Sequence, residues 1–167
     1  ALNTNGNGAA TIVNDAGLIF ATSTVGGALS ATATTGNITD DTGGELDITG
    51  AATFITAATG SDIVLDTASN AFSNSVEMRA DDGTEAFGNI TFVDSAGINF
   101  ATSAASNGDL FINGSTDGAV GGNLSVTATT GNIIDTVALV VSGTTSLTTS
   151  ANNATITLDN TSNAFTG

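Results

Sequence analysis

The chain has 167 residues, 16 of them Asp or Glu against one basic residue, Arg79, and its net charge is −15. It contains no His, Cys, Pro, Trp, Tyr or Lys, and all eight aromatic residues are Phe. A nucleic-acid backbone or an anionic membrane needs clustered cations, a zinc site or a His-activated nucleophile needs His or Cys, and a Schiff base or P-loop needs Lys, so these classes are excluded.

Taken in chain order, the apolar residues come in short bursts with period two. Leu18-Ile19-Phe20, Leu46-Asp47-Ile48, Ile63-Val64-Leu65, Ile90-Thr91-Phe92, Ile98-Asn99-Phe100, Leu110-Phe111-Ile112, Leu124-Ser125-Val126, Leu139-Val140-Val141 and Ile156-Thr157-Leu158 all carry apolar groups at i and i+2. That is the pattern of a strand with one buried face. Gly, Asn, Asp and Ser-Gly or Thr-Gly turns separate the bursts. No window carries helical spacing, and Thr, Gly and Asn are poor helix formers. The longest aliphatic run, Val137–Val141, is strand-sized, far short of the roughly 20 apolar residues of a membrane span. The opening Ala-Leu-Asn-Thr-Asn-Gly has no signal-peptide character, so a mature product or a slice of something longer is expected.

The bursts belong to a long internal repeat. Gly26–Asp41 (GGALSATATTGNITDD) and Gly121–Thr136 (GGNLSVTATTGNIIDT) share twelve of sixteen residues at an offset of 95. Leu46–Phe72 matches Leu139–Phe165 at offset 93, and Asp15–Ser23 matches Ser95–Ser103 at offset 80, which marks an insertion of about fifteen residues near Asn107–Val120. The chain reads as a single segment made of two imperfect copies, roughly 1–74 and 75–167. Within each copy a Leu/Ile triplet recurs about every 17 residues: Leu29, Leu46, Ile63, then Leu139 and Ile156. Taken as one coil each, these steps predict an all-β β-solenoid of about eight or nine coils and about 40 Å in length. An antiparallel sandwich is the competing fold, but its strands are longer and turn every 8–12 residues. Leu46, Ile48, Ile63, Leu65, Leu124, Val126, Leu139, Val141, Ile156 and Leu158 are the expected core.

LSVTATTGNI followed by an LxVxG strand and ITLDNTSNAFTG resembles the repeats of filamentous haemagglutinin-like proteins, large bacterial exoproteins exported by two-partner secretion, and related β-strand-repeat adhesins. The resemblance spans nearly the whole chain. It implies a right-handed parallel β-helix, export across an outer membrane, and an adhesive or matrix-forming fibre at the bacterial surface.

Individual motifs carry mostly structural readings. In TATTGNI, at Thr32–Ile38 and Thr127–Ile133, Thr suits strands, Gly36 and Gly131 supply positive φ, and Asn37 and Asn132 serve as hydrogen-bonded corner residues; ice binding would require Thr-x-Thr in every coil. SNAF, at Ser69–Phe72 and Ser162–Phe165, is expected to be a corner with Phe72 and Phe165 turned inward. Acidic pairs at Asp40-Asp41, Glu45/Asp47 and Asp81-Asp82/Glu85 suggest a solvated negative surface with weak Ca2+ or other divalent cation binding at most, since Gly43-Gly44-Glu45-Leu46-Asp47 lacks the tandem recurrence of a calcium nonapeptide. Grouped carboxylates can cleave polysaccharides, but Arg79 is the only basic group and the negative charge repels polyanions. No catalytic, cofactor or metal residues are assigned and the chain is not expected to be an enzyme. Arg79 is expected to form one surface ion pair with Glu77 or Asp81/Asp82.

The expected function is a structural segment of an extracellular bacterial fibre or giant adhesin stalk, stacking head to tail with copies of itself and possessing host, surface or matrix glycans as further partners. The alternative is a glycan- or ice-binding module that uses one solenoid face. The ends motivate the stacking: placing Ala1 after Gly167 puts Leu2 where Val76 falls after Phe72.

Overall fold

The computed structural model describes residues 1–81, 87–101, 109–112 and 119–167. The described chain is all β, twenty short strands with no helix. The first coil holds β1 (Ala10–Asn14), β2 (Leu18–Phe20) and β3 (Ser23–Val25); the second β4 (Leu29–Ala33), β5 (Ile38–Asp40) and β6 (Leu46–Ile48); the third β7 (Ala52–Thr56), β8 (Ile63–Leu65) and β9 (Ala71–Phe72). β10 (Val76–Ala80), β11 (Ile90–Asp94), β12 (Ile98–Phe100), β13 (Asp109–Ile112) and β14 (Ala119–Val120) follow. The last two coils hold β15 (Leu124–Ala128), β16 (Ile133–Asp135) and β17 (Val140–Val141), then β18 (Thr145–Thr149), β19 (Ile156–Thr157) and β20 (Ala164–Phe165).

Every pairing between these strands is parallel and links one coil to the next. Two main sheets result, one of eight strands (β1-β4-β7-β10-β13-β12-β16-β19) and one of six (β18-β15-β11-β8-β5-β2), with two three-stranded sheets, β3-β6-β9 and β14-β17-β20. The six-stranded sheet counts the turns: there are about six, not eight or nine. The error lies in the 17-residue step. Leu29 to Leu46 runs from β4 to β6, two strands of the same coil, whereas the register advances by 19 residues from Ala10 to Leu29, 23 from Leu29 to Ala52 and 24 from Ala52 to Val76.

Alternation places one set of side chains inside. In β4, β7, β10 and β15 the first, third and fifth residues are buried and the two between are half-buried. Register then lines the inward residues into rows, such as Ile12–Ala31–Phe54–Met78. Ala31 beneath Phe54 makes room for the ring, and Phe20, Phe54, Phe72 and Phe92 meet in sequence with centroids 6.1, 6.1 and 5.2 Å apart. Such edge-on and tilted contacts add to the area term. Turns are tight where coils stack: a Cβ on Gly50 would lie 2.4 Å from the Gly27 carbonyl carbon, so only Gly permits that approach.

The two copies do not sit in the same phase. β1, β4 and β7 lie in the eight-stranded sheet, but their sequence counterparts β11, β15 and β18 lie in the six-stranded one. β2, β5 and β8 exchange in the opposite sense with β12, β16 and β19. The cause is β10. It adds one strand to the eight-stranded sheet after three full coils, so the first copy spans about three and a half turns. The second copy starts half a turn around the axis. The insertion supplies β13, which pairs with β10 on one side and β12 on the other.

Eight of the ten expected core residues are buried, from Leu46 to Val141. Ile156 is not: it is 44% exposed, and Leu158 is half-buried. Both lie in the last coil.

Candidate functional site

Coils are held in register along the narrow edges by Asn and Asp side chains that cap backbone N–H groups of the neighbouring coil. Asn37 Oδ1 accepts from Asp62 N at 2.9 Å, Asp62 Oδ1 from Asn89 N at 2.7 Å, Asn89 Oδ1 from Asn123 N at 2.8 Å, and Asn123 Oδ1 from Thr144 N at 2.8 Å. This ladder passes unbroken from the first copy into the second, yet changes motif on the way, from TTGN at Asn37 to GGN at Asn123. The change of motif is what a half-turn offset requires. Gly36 and Gly131 both hold φ of 90° at the TTGN corners, as the sequence predicts. Asn132 caps the N–H of Thr155 at 2.9 Å.

A second device recurs at both SNAF motifs. Asn70 Oδ1 accepts from Leu46 N at 2.9 Å and its Nδ2 donates to Asp40 Oδ2 at 2.7 Å, while Asp40 Oδ1 accepts from Asp66 N at 3.1 Å. In the second copy Asn163 accepts from Leu139 N at 2.7 Å and donates to Asp135 at 2.7 Å, and Asp135 accepts from Asp159 N at 3.1 Å. Asn70 is fully buried; its amide must bond on both sides or lose about 1–3 kcal/mol. Asp40 therefore accepts from two backbone N–H groups and the Asn70 amide.

Above the first SNAF sits Asp94. Its Oδ1 accepts from Phe72 N at 3.2 Å, and Ser95 N donates to the Asn70 carbonyl at 2.8 Å. Burial pushes the Asp94 carboxyl above its ordinary value, against the lowering effect of backbone N–H groups at Phe72, Ala96 and Ser95. Sequence reading passed over this residue; the signal was its position, since Asp94 stands where the first copy has Asn14. Phe72 is turned inward and buried between Phe54 and Phe92, as expected, but Phe165, in the last coil, is 42% exposed.

The remaining acidic residues do not converge. Asp81 is buried and Glu77 half-buried, and each has a bonded partner; Asp82 and Glu85 lie outside the described residues. Among the described residues no three His, Cys, Asp or Glu side chains come together. Arg79 lies on the outward row of β10, and its Nε is shielded with no hydrogen-bond partner among the described residues. Outward rows mix residue types: Thr11–Ser30–Thr53–Glu77 and Val13–Thr32–Ile55–Arg79 on one sheet, Ile19–Thr39–Val64–Thr91–Ser125–Ser146 on the other. They form no ordered Thr array. Gly17, Ile19, Gly36, Asn37 and Thr39 line a shallow, open depression.

Comparison of the sequence with known families matches the description "Repeats of unknown function (DUF5649)" twice, over residues 7–79 and 87–167. The chain belongs to the DUF5649 repeat family. The first match contains β1 to β9 and nearly all of β10, and the second contains β11 to β20. No curated protein and no solved structure matches the chain. The two DUF5649 repeats thus begin with counterpart strands, β1 and β11, that lie on opposite main sheets.

Proposed function

We propose that this pair of DUF5649 repeats is a structural segment of an extracellular bacterial fibre or adhesin stalk, elongating head to tail with further repeats of its own kind. The observation that carries the reading is the internal junction, where β11 of the second repeat pairs in register with β8 of the first and Asp94 accepts from Phe72 N. One repeat thus covers the next: Ile63 and Phe72 at that junction are 0% and 4% exposed. A solenoid gains stability with each added coil because each interface buries the next. The extracellular bacterial setting, and glycans as further partners, rest on the resemblance of LSVTATTGNI and ITLDNTSNAFTG to filamentous haemagglutinin-like repeats.

Charge sets the condition for assembly. At −15 per chain, end-to-end approach is repulsive until salt shortens the Debye length to about 8 Å at physiological strength. Electron microscopy and sedimentation across a salt and divalent-cation series test the proposal. Filaments one solenoid wide, with an axial repeat of about 30 Å for six coils, are expected at high ionic strength and should dissociate at low. Monomers under all conditions would overturn it.

A further inference from the structure

All three Asn caps of the edge ladder stand two residues before a hydroxyl: Asn37-Ile38-Thr39, Asn89-Ile90-Thr91 and Asn123-Leu124-Ser125. Strand alternation explains the spacing. The Asn sits at the corner, the next residue turns inward and is buried, and the hydroxyl falls on the outward row of the six-stranded sheet. Alternation does not explain the hydroxyl itself. Val64 holds the same outward place after Asp62, and Asn132, which caps Thr155 N from the matching TTGN corner, is followed by Ile133-Ile134. Packing thus accepts an aliphatic side chain there. The triplet N-x-[ST] is the one read by enzymes that join a sugar to an Asn amide. Further triplets begin at Asn113, outside the described residues, and at Asn153 and Asn160, in the last coil.

The amide nitrogens separate the three. Asn37 and Asn123 are exposed, and each uses its Oδ1 alone, for Asp62 N at 2.9 Å and Thr144 N at 2.8 Å. Among the described residues neither Nδ2 has a hydrogen-bond partner. Asn89 is half-buried, and its Nδ2 donates to Asp62 Oδ1 at 3.0 Å. Asn37 and Thr39 line one shallow depression, so amide and hydroxyl are open to the same approach. β5 and β15, which follow Asn37 and Asn123, each have a paired strand on both sides, so the exposure is that of the solenoid's edge. We propose that Asn37 and Asn123 are attachment sites for an N-linked sugar and that Asn89 is not. In the transfer, Nδ2 bonds to C1 of a nucleotide-linked sugar, the C1–O bond breaks with its electron pair leaving on the nucleotide diphosphate, and Nδ2 gives up one proton. The product is still an amide with an Oδ1 acceptor, so both caps survive the modification. Three coil steps part the two sites, about 14 Å along the edge, which leaves room for a sugar on each.

Neither site depends on the fibre reading. The folded full chain is incubated with a soluble, N-x-[ST]-directed N-glycosyltransferase and UDP-glucose, and peptide mass spectrometry locates the hexose. Hexose is expected at Asn37 and Asn123 and absent from Asn89 and Asn132. Thr39→Ala and Ser125→Ala keep the ladder caps, and each should lose the hexose at its own Asn only. Ile134→Thr completes the triplet at Asn132, which is exposed and bonded through Oδ1 alone like Asn37, and should gain a hexose there. Modification of Asn89 as complete as that of Asn37, or no gain in Ile134→Thr, would overturn the selection by amide geometry. The same mapping on the protein isolated from the cells that make it should find a sugar at Asn37 and Asn123. Unmodified asparagine at both would overturn the assignment.

Discussion

Asn70 in the third coil and Asn163 in the last make the same two bonds at nearly the same distances, yet Phe72 is 4% exposed and Phe165 42%. Local sequence determines the bonds within a coil and to the coil beneath. Burial depends on the coil above. In a solenoid each unit contacts only its neighbours, so identical motifs differ in stability according to place, and the interior coil shows the last coil in its covered form.

The largest expected effect contrasts Ile63 with its counterpart. Ile63→Ala empties a site with no exposure and should cost about 3 kcal/mol. Ile156→Ala, at 44% exposure, should cost less than about 1 kcal/mol in the monomer. Urea midpoints measure both. Equal costs would mean that stacking is not the source of the difference. In assembled material the cost at Ile156 should rise toward that at Ile63.

A smaller contrast is expected at the locks. Asn70→Ala leaves the buried Leu46 N–H without its acceptor and Asp40 Oδ2 with Thr67 N alone, for about 2 kcal/mol. Asn163 is only half-buried, where water can replace the lost bonds, so Asn163→Ala should cost about 1 kcal/mol. A loss at Asn163 as large as at Asn70 would show that the final coil is as closed as the interior.

Much of this was legible in the residues. The i, i+2 alternation marks nearly every strand, and the offsets of 80, 93 and 95 mark the two repeats and the insertion. The TTGN corners read correctly because positive φ selects Gly36 and Gly131. Register was not legible: Leu29, Leu46 and Ile63 share a motif, but they lie in three different sheets, and nothing in a Leu-x-Ile triplet names its face. The half-turn was signalled by Val76, Met78 and Ala80, an alternating set that stands between the first SNAF motif and the Ile90-Thr91-Phe92 burst. Its meaning depends on pairing between coils, which a single strand does not encode. The Asp40–Asn70 lock joins residues thirty apart, and its first member read as part of an acidic surface.

The smallest effect concerns position 94 itself, where the two repeats differ by one atom type. Asn14 donates its Nδ2 to the Gly17 carbonyl at 3.0 Å, and Asp94 accepts from Phe72 N. Burial raises the folded-state pKa of Asp94 above its ordinary 3.8. Between the unfolded value and the raised one, the folded state binds more protons, so this group's contribution to stability falls as pH rises through that window and stays low above it. Asp94→Asn removes the titration but keeps an oxygen for Phe72 N. The variant should match or exceed the parent at neutral pH, by up to about 1 kcal/mol, and the gain should vanish below the ordinary Asp value. The difference between the two stability–pH curves isolates this group from the other carboxylates. A variant that is less stable at neutral pH, with a pH-independent difference, would show that Phe72 N needs a charged acceptor.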